Sequence, residues 1–301
     1  MRGFPVSAKR ILLACLLLCA CGSAARSATV DGQSGAVRAV RLPDGYVYTS
    51  AVRGDGRYTA ELRAIFASEP QLLGMYFMVL DIDVIGDKAV VLARPEAGSA
   101  AQVLAVDPDS LEVTTLLDQV SKDSIAAVLS PDGRYVAVLT LTEPGLLGAA
   151  RLSIHDLGAG TFHDVSLPDG LTSDASMAFG DGVLAIASGK PGDCLVNEVG
   201  LVATSTATCA VPSASLMGQV DSVSWDTSEL LALCDGRLVL ALSAPHRSAD
   251  FELVLLGDDG SISALGVIQG QNPTVSCRSG GVAVIGPAGA GDFSQFEIPH
   301  P

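Results

Sequence analysis

Ile125-Ala-Ala-Val-Leu-Ser-Pro-Asp-Gly-Arg-Tyr-Val-Ala-Val138 reads as two apolar strands joined by a tight turn, and weaker copies of it recur along the chain. Gly and Asp occupy such turns because a tight hairpin needs positive φ, which Gly adopts without strain and Asp tolerates. The turns Gly54-Asp55-Gly56, Gly86-Asp87-Lys88, Pro131-Asp132-Gly133, Gly180-Asp181-Gly182, Asp235-Gly236 and Ser279-Gly280-Gly281 fall at intervals of roughly 31, 46, 49, 54 and 44 residues. Four of these five intervals, 46, 49, 54 and 44, lie within or close to the roughly 40 to 50 residues of a unit of four strands.

The strand after each turn is continuously apolar: Ala89–Ala93, Tyr135–Thr140, Val183–Ala187, Leu238–Leu242 and Val282–Ile285. A strand with water on one face would alternate, so these are expected to be covered on both faces. No stretch of a dozen residues carries the 3.6 period that the helices of a parallel α/β sheet would need. Further out in each unit, Gln102–Leu117, Arg151–Val165 and Phe251–Ile262 read as strand, turn, strand, with an Asp (107, 156 or 258) opening the turn. The expectation is an all-β propeller of four-stranded antiparallel blades over residues 36–301, six in number, with five or seven as alternatives. The short first interval suggests that Ala36-Val-Arg-Ala-Val-Arg-Leu42 latches the ring as the missing strand of the last blade. Strand boundaries in 189–228 cannot be fixed from the sequence.

The phrases Leu129-Ser-Pro-Asp-Gly-Arg-Tyr-Val-Ala137 and Ile154-His-Asp-Leu-Gly-Ala-Gly160 resemble the TolB-like and related WD-like bacterial propellers. That resemblance implies a fold and no activity.

The N-terminus carries Arg2, Lys9 and Arg10 without an acid, then the apolar run Ile11–Ala20, which is half of the roughly 20 residues that span a bilayer. Residues 1–20 therefore read as a signal peptide. Leu18-Cys19-Ala20-Cys21-Gly22-Ser23 resembles a bacterial lipoprotein processing box, which implies a lipidated Cys21. Gly22, where lipoproteins retained at the inner membrane typically carry Asp, favours the outer membrane. An ordinary secretory signal cut near Ala24 or Ala28 is the alternative. Residues 21–35 are small and polar and are expected to form a flexible tether.

Removal of the three basic residues of the signal leaves 15 Lys and Arg against 33 acids, a formal net charge of −18. Such a surface repels phosphate backbones, which argues against nucleic-acid binding. The mean hydropathy of +0.42 is high for a chain with no later membrane-length apolar run, and points to an extensive packed interior.

Four cysteines follow Cys21. Cys194 and Cys209 lie fifteen positions apart in one unit, and Cys234 and Cys277 precede turns in two consecutive units. An even number in an exported domain suggests the pairs Cys194–Cys209 and Cys234–Cys277, with the latter two as buried apolar residues the alternative. No two to four residue spacing of zinc ligands occurs.

His155-Asp156 and His163-Asp164 sit on two arms of one hairpin and read as surface polar residues. Asp81-Ile-Asp83-Val-Ile-Gly86 begins like a calcium loop but has Ile85 and Leu92 at ligand positions. Nucleophile-elbow, zincin and phosphate-loop motifs are lacking, and Trp225 is the single tryptophan. No catalytic residue, cofactor or metal is assigned. The leading expectation is a monomeric, lipid-anchored, non-enzymatic module binding a protein or envelope ligand. The alternative is a propeller hydrolase or lactonase with Glu61, Asp123, Asp174 and Asn272 as candidates at the central channel. Small-ligand or carbohydrate binding is disfavoured by an aromatic content of 5%.

Overall fold

A computed structural model describes residues 36–299, apart from 43, 55–56, 67–68, 143–149, 168–174, 181, 188–193, 202–205, 213–226, 235–236, 244–249, 257–261, 270–273, 279–280 and 290–291. Among the described residues every regular element is a strand. The first sheet comprises β1 (Ala36–Leu42), β2 (Gly45–Gly54), β3 (Arg57–Ile65) and β4 (Gln71–Tyr76), and the second β5 (Met78–Ile85), β6 (Lys88–Arg94), β7 (Ala101–Val106) and β8 (Val113–Val120). The third holds β9 (Ser124–Leu129), β10 (Tyr135–Leu141), β11 (Ala150–Asp156) and β12 (Thr161–Val165), and the fourth β13 (Ser176–Phe179), β14 (Val183–Ala187), β15 (Cys194–Gly200) and β16 (Thr208–Pro212). Then come β17 (Thr227–Cys234), β18 (Arg237–Ser243), β19 (Asp250–Leu256) and β20 (Ile262–Gln269), and a last sheet of β21 (Thr274–Arg278), β22 (Gly281–Gly289) and β23 (Asp292–Pro299).

Each sheet is an antiparallel meander, and the first strand of each packs against the first strand of the next. β1 in turn packs against β21 and β22, which closes a ring. The fold is a β-propeller with five complete four-stranded blades and a sixth sheet of three strands among the described residues.

The continuous apolar runs are explained by the cores between blades. In β6, Ala89, Val91 and Ala93 pack with Val40, Leu62 and Ile82 toward the first blade, while Val90 and Leu92 pack with Ala127, Val136 and Val138 toward the third. In β10, Val136 and Val138 face back and Ala137 and Leu139 face forward, toward Met177, Leu184 and Ile186. Both faces of β6 and β10 are thus withdrawn from water, and full burial of each Leu, Ile or Val contributes about 1.5–3 kcal/mol.

The Ser-Pro-Asp-Gly turn is held by its own side chains. Ser130 Oγ donates to Asp132 Oδ1 at 2.6 Å and accepts from Tyr135 N at 2.8 Å, while Asp132 Oδ1 also accepts from Arg134 N at 3.0 Å. Gly133 sits at φ 71°, the left-handed conformation that calls for Gly here. The outer turns use their leading acids as expected: Asp107 Oδ1 accepts from Asp109 N and Ser110 N, and Asp156 Oδ1 from Ala159 N.

The structure corrects the reading of the first blade. Gly54-Asp55-Gly56 joins β2 to β3, so it belongs to a later hairpin than the other five turns. The equivalent turn is Leu42-Pro43-Asp44-Gly45, between β1 and β2, and the interval from Asp44 to Asp87 is an ordinary 43 residues. Gly45 is required there because a Cβ would collide with the carbonyl oxygen of Ile65 and with Phe66. Ala36–Leu42 accordingly does not latch the last blade. It pairs with β2 as the innermost strand of the first, burying Val40 and Leu42 in the core shared with the second.

Candidate functional site

Antiparallel order gives the ring two distinct ends. One, the turn end, carries the connections within blades at Asp44, Gly86-Asp87 and Pro131-Asp132-Gly133. The other, the link end, carries every passage from an outer strand to the inner strand of the next blade.

At the link end, Phe77 and Met78 join β4 to β5 and remain 37% and 41% exposed. Phe77 N donates to Pro95 O at 3.1 Å, and Met78 pairs directly with Arg94 across the β5–β6 ladder. Arg94 Nη2 donates to the carbonyl of Lys122, in the next link, at 2.6 Å, while its buried Nε has no hydrogen-bond partner among the described residues. Two exposed apolar side chains thus lie at the end of the ring where the Arg94 guanidinium meets the Lys122 backbone. Residues Gln71–Leu80 contain no charged residue, and four of the five large exposed apolar side chains among the described residues, Leu72, Met75, Phe77 and Met78, fall inside that stretch. The apolar repeat of the strands conceals this patch; the clue in the sequence is an uncharged decade containing two methionines and two aromatic residues.

Leu72 and Met75 belong to a separate surface. Arg63 pairs with Leu72 and Glu61 with Met75, and the register shifts by one residue between them. That bulge places Leu72 and Met75 on one face although they are three apart, beside the 2.7 Å ion pair of Arg63 Nε with Glu61 Oε2. The opposite face, with Leu62, Ala64 and Leu73, packs on the second blade, so Leu72 and Met75 are turned toward the three-stranded last sheet. They are 50% and 57% exposed.

Of the candidate residues, Glu61 and Asp123 lie in different blades among the described residues. Glu61 lies in β3, the third strand outward, and not at an inner strand, because the first turn belongs one strand further along. Asp123 precedes β9 at the link end, and its carbonyl accepts from Leu141 N at 3.0 Å. Asp174, Asn272 and Trp225 lie outside the described residues, as does Cys21. Asp81 is tied into the ring by Ala127 N, which donates to its Oδ2 at 3.3 Å. Among the described residues no group of three or more His, Cys, Asp or Glu could hold a metal ion.

Cys194 and Cys209 form a disulfide joining the outer strands β15 and β16, with their Cα atoms 5.8 Å apart. Cys234 and Cys277 lie on neighbouring inner strands, one step out of equivalence: Cys234 pairs with Arg237 at its turn, and Cys277 with Val282, one pair further from its own. Their side chains are outside the described residues.

On the third blade, His155 pairs with Phe162 and His163 with Ile154, so the two histidines occupy opposite faces of their hairpin. His155 stacks on Phe162 with ring centroids 5.2 Å apart, and its Nε2 lies 3.1 Å from Ser153 Oγ. Burial pushes the His155 imidazole below its ordinary value, while Asp164 opposes that shift.

No family model and no curated protein sequence matches the chain. Its fold is shared with solved propellers of low identity. A mutant sialidase of Trypanosoma rangeli is 12% identical with a TM-score of 0.54, over 89% of this chain and 54% of its own. Prolyl oligopeptidase B of Galerina marginata is 14% identical with a TM-score of 0.53, over 90% and 41%. TolB of Acinetobacter baumannii is 11% identical with a TM-score of 0.49, over 81% of this chain and 61% of its own. The chain therefore spans less than two thirds of each of these three, and the likeness is one of fold.

Proposed function

We propose that the chain is a lipid-anchored propeller of the bacterial cell envelope that binds a protein partner through the link end of its ring. The observation that carries this reading is the exposure of Phe77 and Met78 at that end, with Met78 paired to Arg94. Aromatic residues, Met and Arg are the types enriched where proteins meet, and flexible methionines adapt to a partner's contour. Cys21, in its lipoprotein-like box, supplies the anchor, and the envelope address follows from the signal sequence, with TolB among the structural neighbours.

Site-specific photo-crosslinking in intact cells tests the contact. A crosslinker at Phe77 should yield one adduct of defined mass, which a crosslinker at Thr114 on the second blade does not, and Met78→Ser should weaken it. Equal labelling from both positions would overturn the proposal. Cys21→Ala should move the protein from the membrane to the soluble fraction, and retention there would remove the anchor.

A further inference from the structure

Arg94 ends β6 directly opposite Met78, in the last pair of the β5–β6 ladder, so the two side chains leave the sheet on one face. On that same face Val90 and Leu92 pack toward the third blade. The guanidinium accordingly meets the link that leads into that blade, where Nη2 donates to the carbonyl of Lys122 at 2.6 Å. That carbonyl is its single hydrogen-bond partner among the described residues, and its Nε is closed to water.

Other arginines are differently placed. Arg63 pairs with Glu61 at 2.7 Å, Arg134 with Asp156 at 2.8 Å and Arg151 with Asp164 at 3.5 Å. Arg94 has no carboxylate partner among the described residues: Asp118 accepts from Gln102 Nε2 at 2.8 Å, while Glu96 and Asp123, exposed in the adjoining turns, form no pair with it. A guanidinium offers five N–H donors in a fixed fork that fits a carboxylate, and one backbone carbonyl leaves that fork unfilled. A buried donor without a partner is costly, so Arg94 stands ready for an acceptor that the chain itself does not supply.

We infer that the link end recognises an acidic segment of another protein, in which an Asp or Glu side chain pairs with Arg94 and a neighbouring apolar side chain packs on Phe77 and Met78. The inference rests on the link end being a docking surface, and it adds the chemistry of the occupant. Gln71–Leu80 is uncharged, and Arg94, Glu96, Lys122 and Asp123 together carry no net charge, so the patch neither draws nor repels an acidic segment from afar. Selection comes at contact. Apolar cover over Phe77 and Met78 removes water from the guanidinium and strengthens its pairing with a carboxylate. A basic or wholly apolar segment would leave Arg94 unpaired under the same cover, and is disfavoured for that reason.

Photo-crosslinking from Phe77 in intact cells, followed by mass spectrometry of the joined peptide, tests the pairing. The joined peptide should carry Asp or Glu within about two residues of the attachment site, since alternate side chains of an extended segment share a face. Arg94→Gln should lower the adduct yield at least about tenfold, and Arg94→Lys by less. Tm of the purified variants reports separately what the bond to Lys122 contributes to the fold. Arg94→Glu combined with Lys in place of the partner's acid should restore the adduct that either change alone removes, a rescue that a merely structural Arg94 would not show. An adduct indifferent to Arg94→Gln, or a joined peptide without an acid, overturns this inference and leaves the docking surface standing. So does a joined peptide from the chain itself, which gives the surface to a second copy. Failure to obtain any defined adduct with Arg94 intact overturns the docking surface and this inference with it.

Discussion

Arg134 grips Asp156 through both Nε, at 3.1 Å, and Nη2, at 2.8 Å, from the same carboxylate oxygen. This joins the inner turn of the third blade to its outer turn, with Leu157 N donating to Arg134 O at 2.9 Å as a second tie. Arg134 also lies over the Tyr135 ring, 4.9 Å from its centroid. The recurring phrase is thus a brace between strands, and its charged residues are occupied in building the blade.

Acid should weaken that brace before it weakens the core. The Arg134 guanidinium holds the Asp156 carboxyl below 3.8, the Ser130 hydroxyl does the same for Asp132, and the backbone N–H and hydroxyl of Ser110 do so for Asp107. A carboxyl with a depressed folded pKa contributes its stability above the unfolded value and loses it as pH falls through the folded one. Urea midpoints should hold steady down to about pH 4 and then drop, and Asp156→Asn should flatten that drop. An unchanged acid limb in the variant would count against the brace.

His155 should titrate below 6.5, since burial disfavours its cation. The unfolded chain then takes up its proton first, so the stability His155 contributes is present at neutral pH and is lost as pH falls from 6.5 through the folded value. Imidazole NMR shifts should show the low midpoint, and His155→Gln should reduce the slope of stability between about pH 5 and 7. A midpoint at or above 6.5 would contradict the burial.

Reducing the Cys194–Cys209 disulfide frees a closed loop with a sequence separation of 15. Chain entropy alone puts the loss near 3 kcal/mol. Cys194→Ser with Cys209→Ser should show it as a lower urea midpoint, and wild-type protein in strong reductant should match the double variant.

Leu139→Ala should cost about 2–5 kcal/mol, because the side chain is fully buried in the core between the third and fourth blades. Gly133→Ala should cost about 1–2 kcal/mol through its left-handed backbone alone, as an added Cβ meets nothing within 4 Å. Thermal unfolding separates the two, the first variant losing far more than the second.

Much of the ring can be read from the chain because water dictates it: strands covered on both faces carry unbroken apolar runs, and tight turns need Gly and Asp. The first blade misleads for the same reason. Gly54-Asp55-Gly56 and Pro43-Asp44-Gly45 are both good turns, and composition does not tell which hairpin a turn closes; only the packing of Val40 and Leu42 does so. Glu61 was displaced from the inner ring by that single step. Phe77 and Met78 were hidden differently, since apolar residues in strands are the expectation and their exposure comes from their position in a link.

The packing of β1 on β21 and β22 joins segments more than 230 residues apart, whereas the inner strands of the other successive blades meet across about 40 to 50 residues of chain. Closing a loop of that length costs about 1.5 kcal/mol more than closing the loop between successive blades. The blades can therefore form in order of synthesis, with this seam the last to shut and the first to part under load. The seam is also where β1, the first described strand, meets the last sheet, so a pull on the chain ahead of Ala36 would fall on the joint that is last to close.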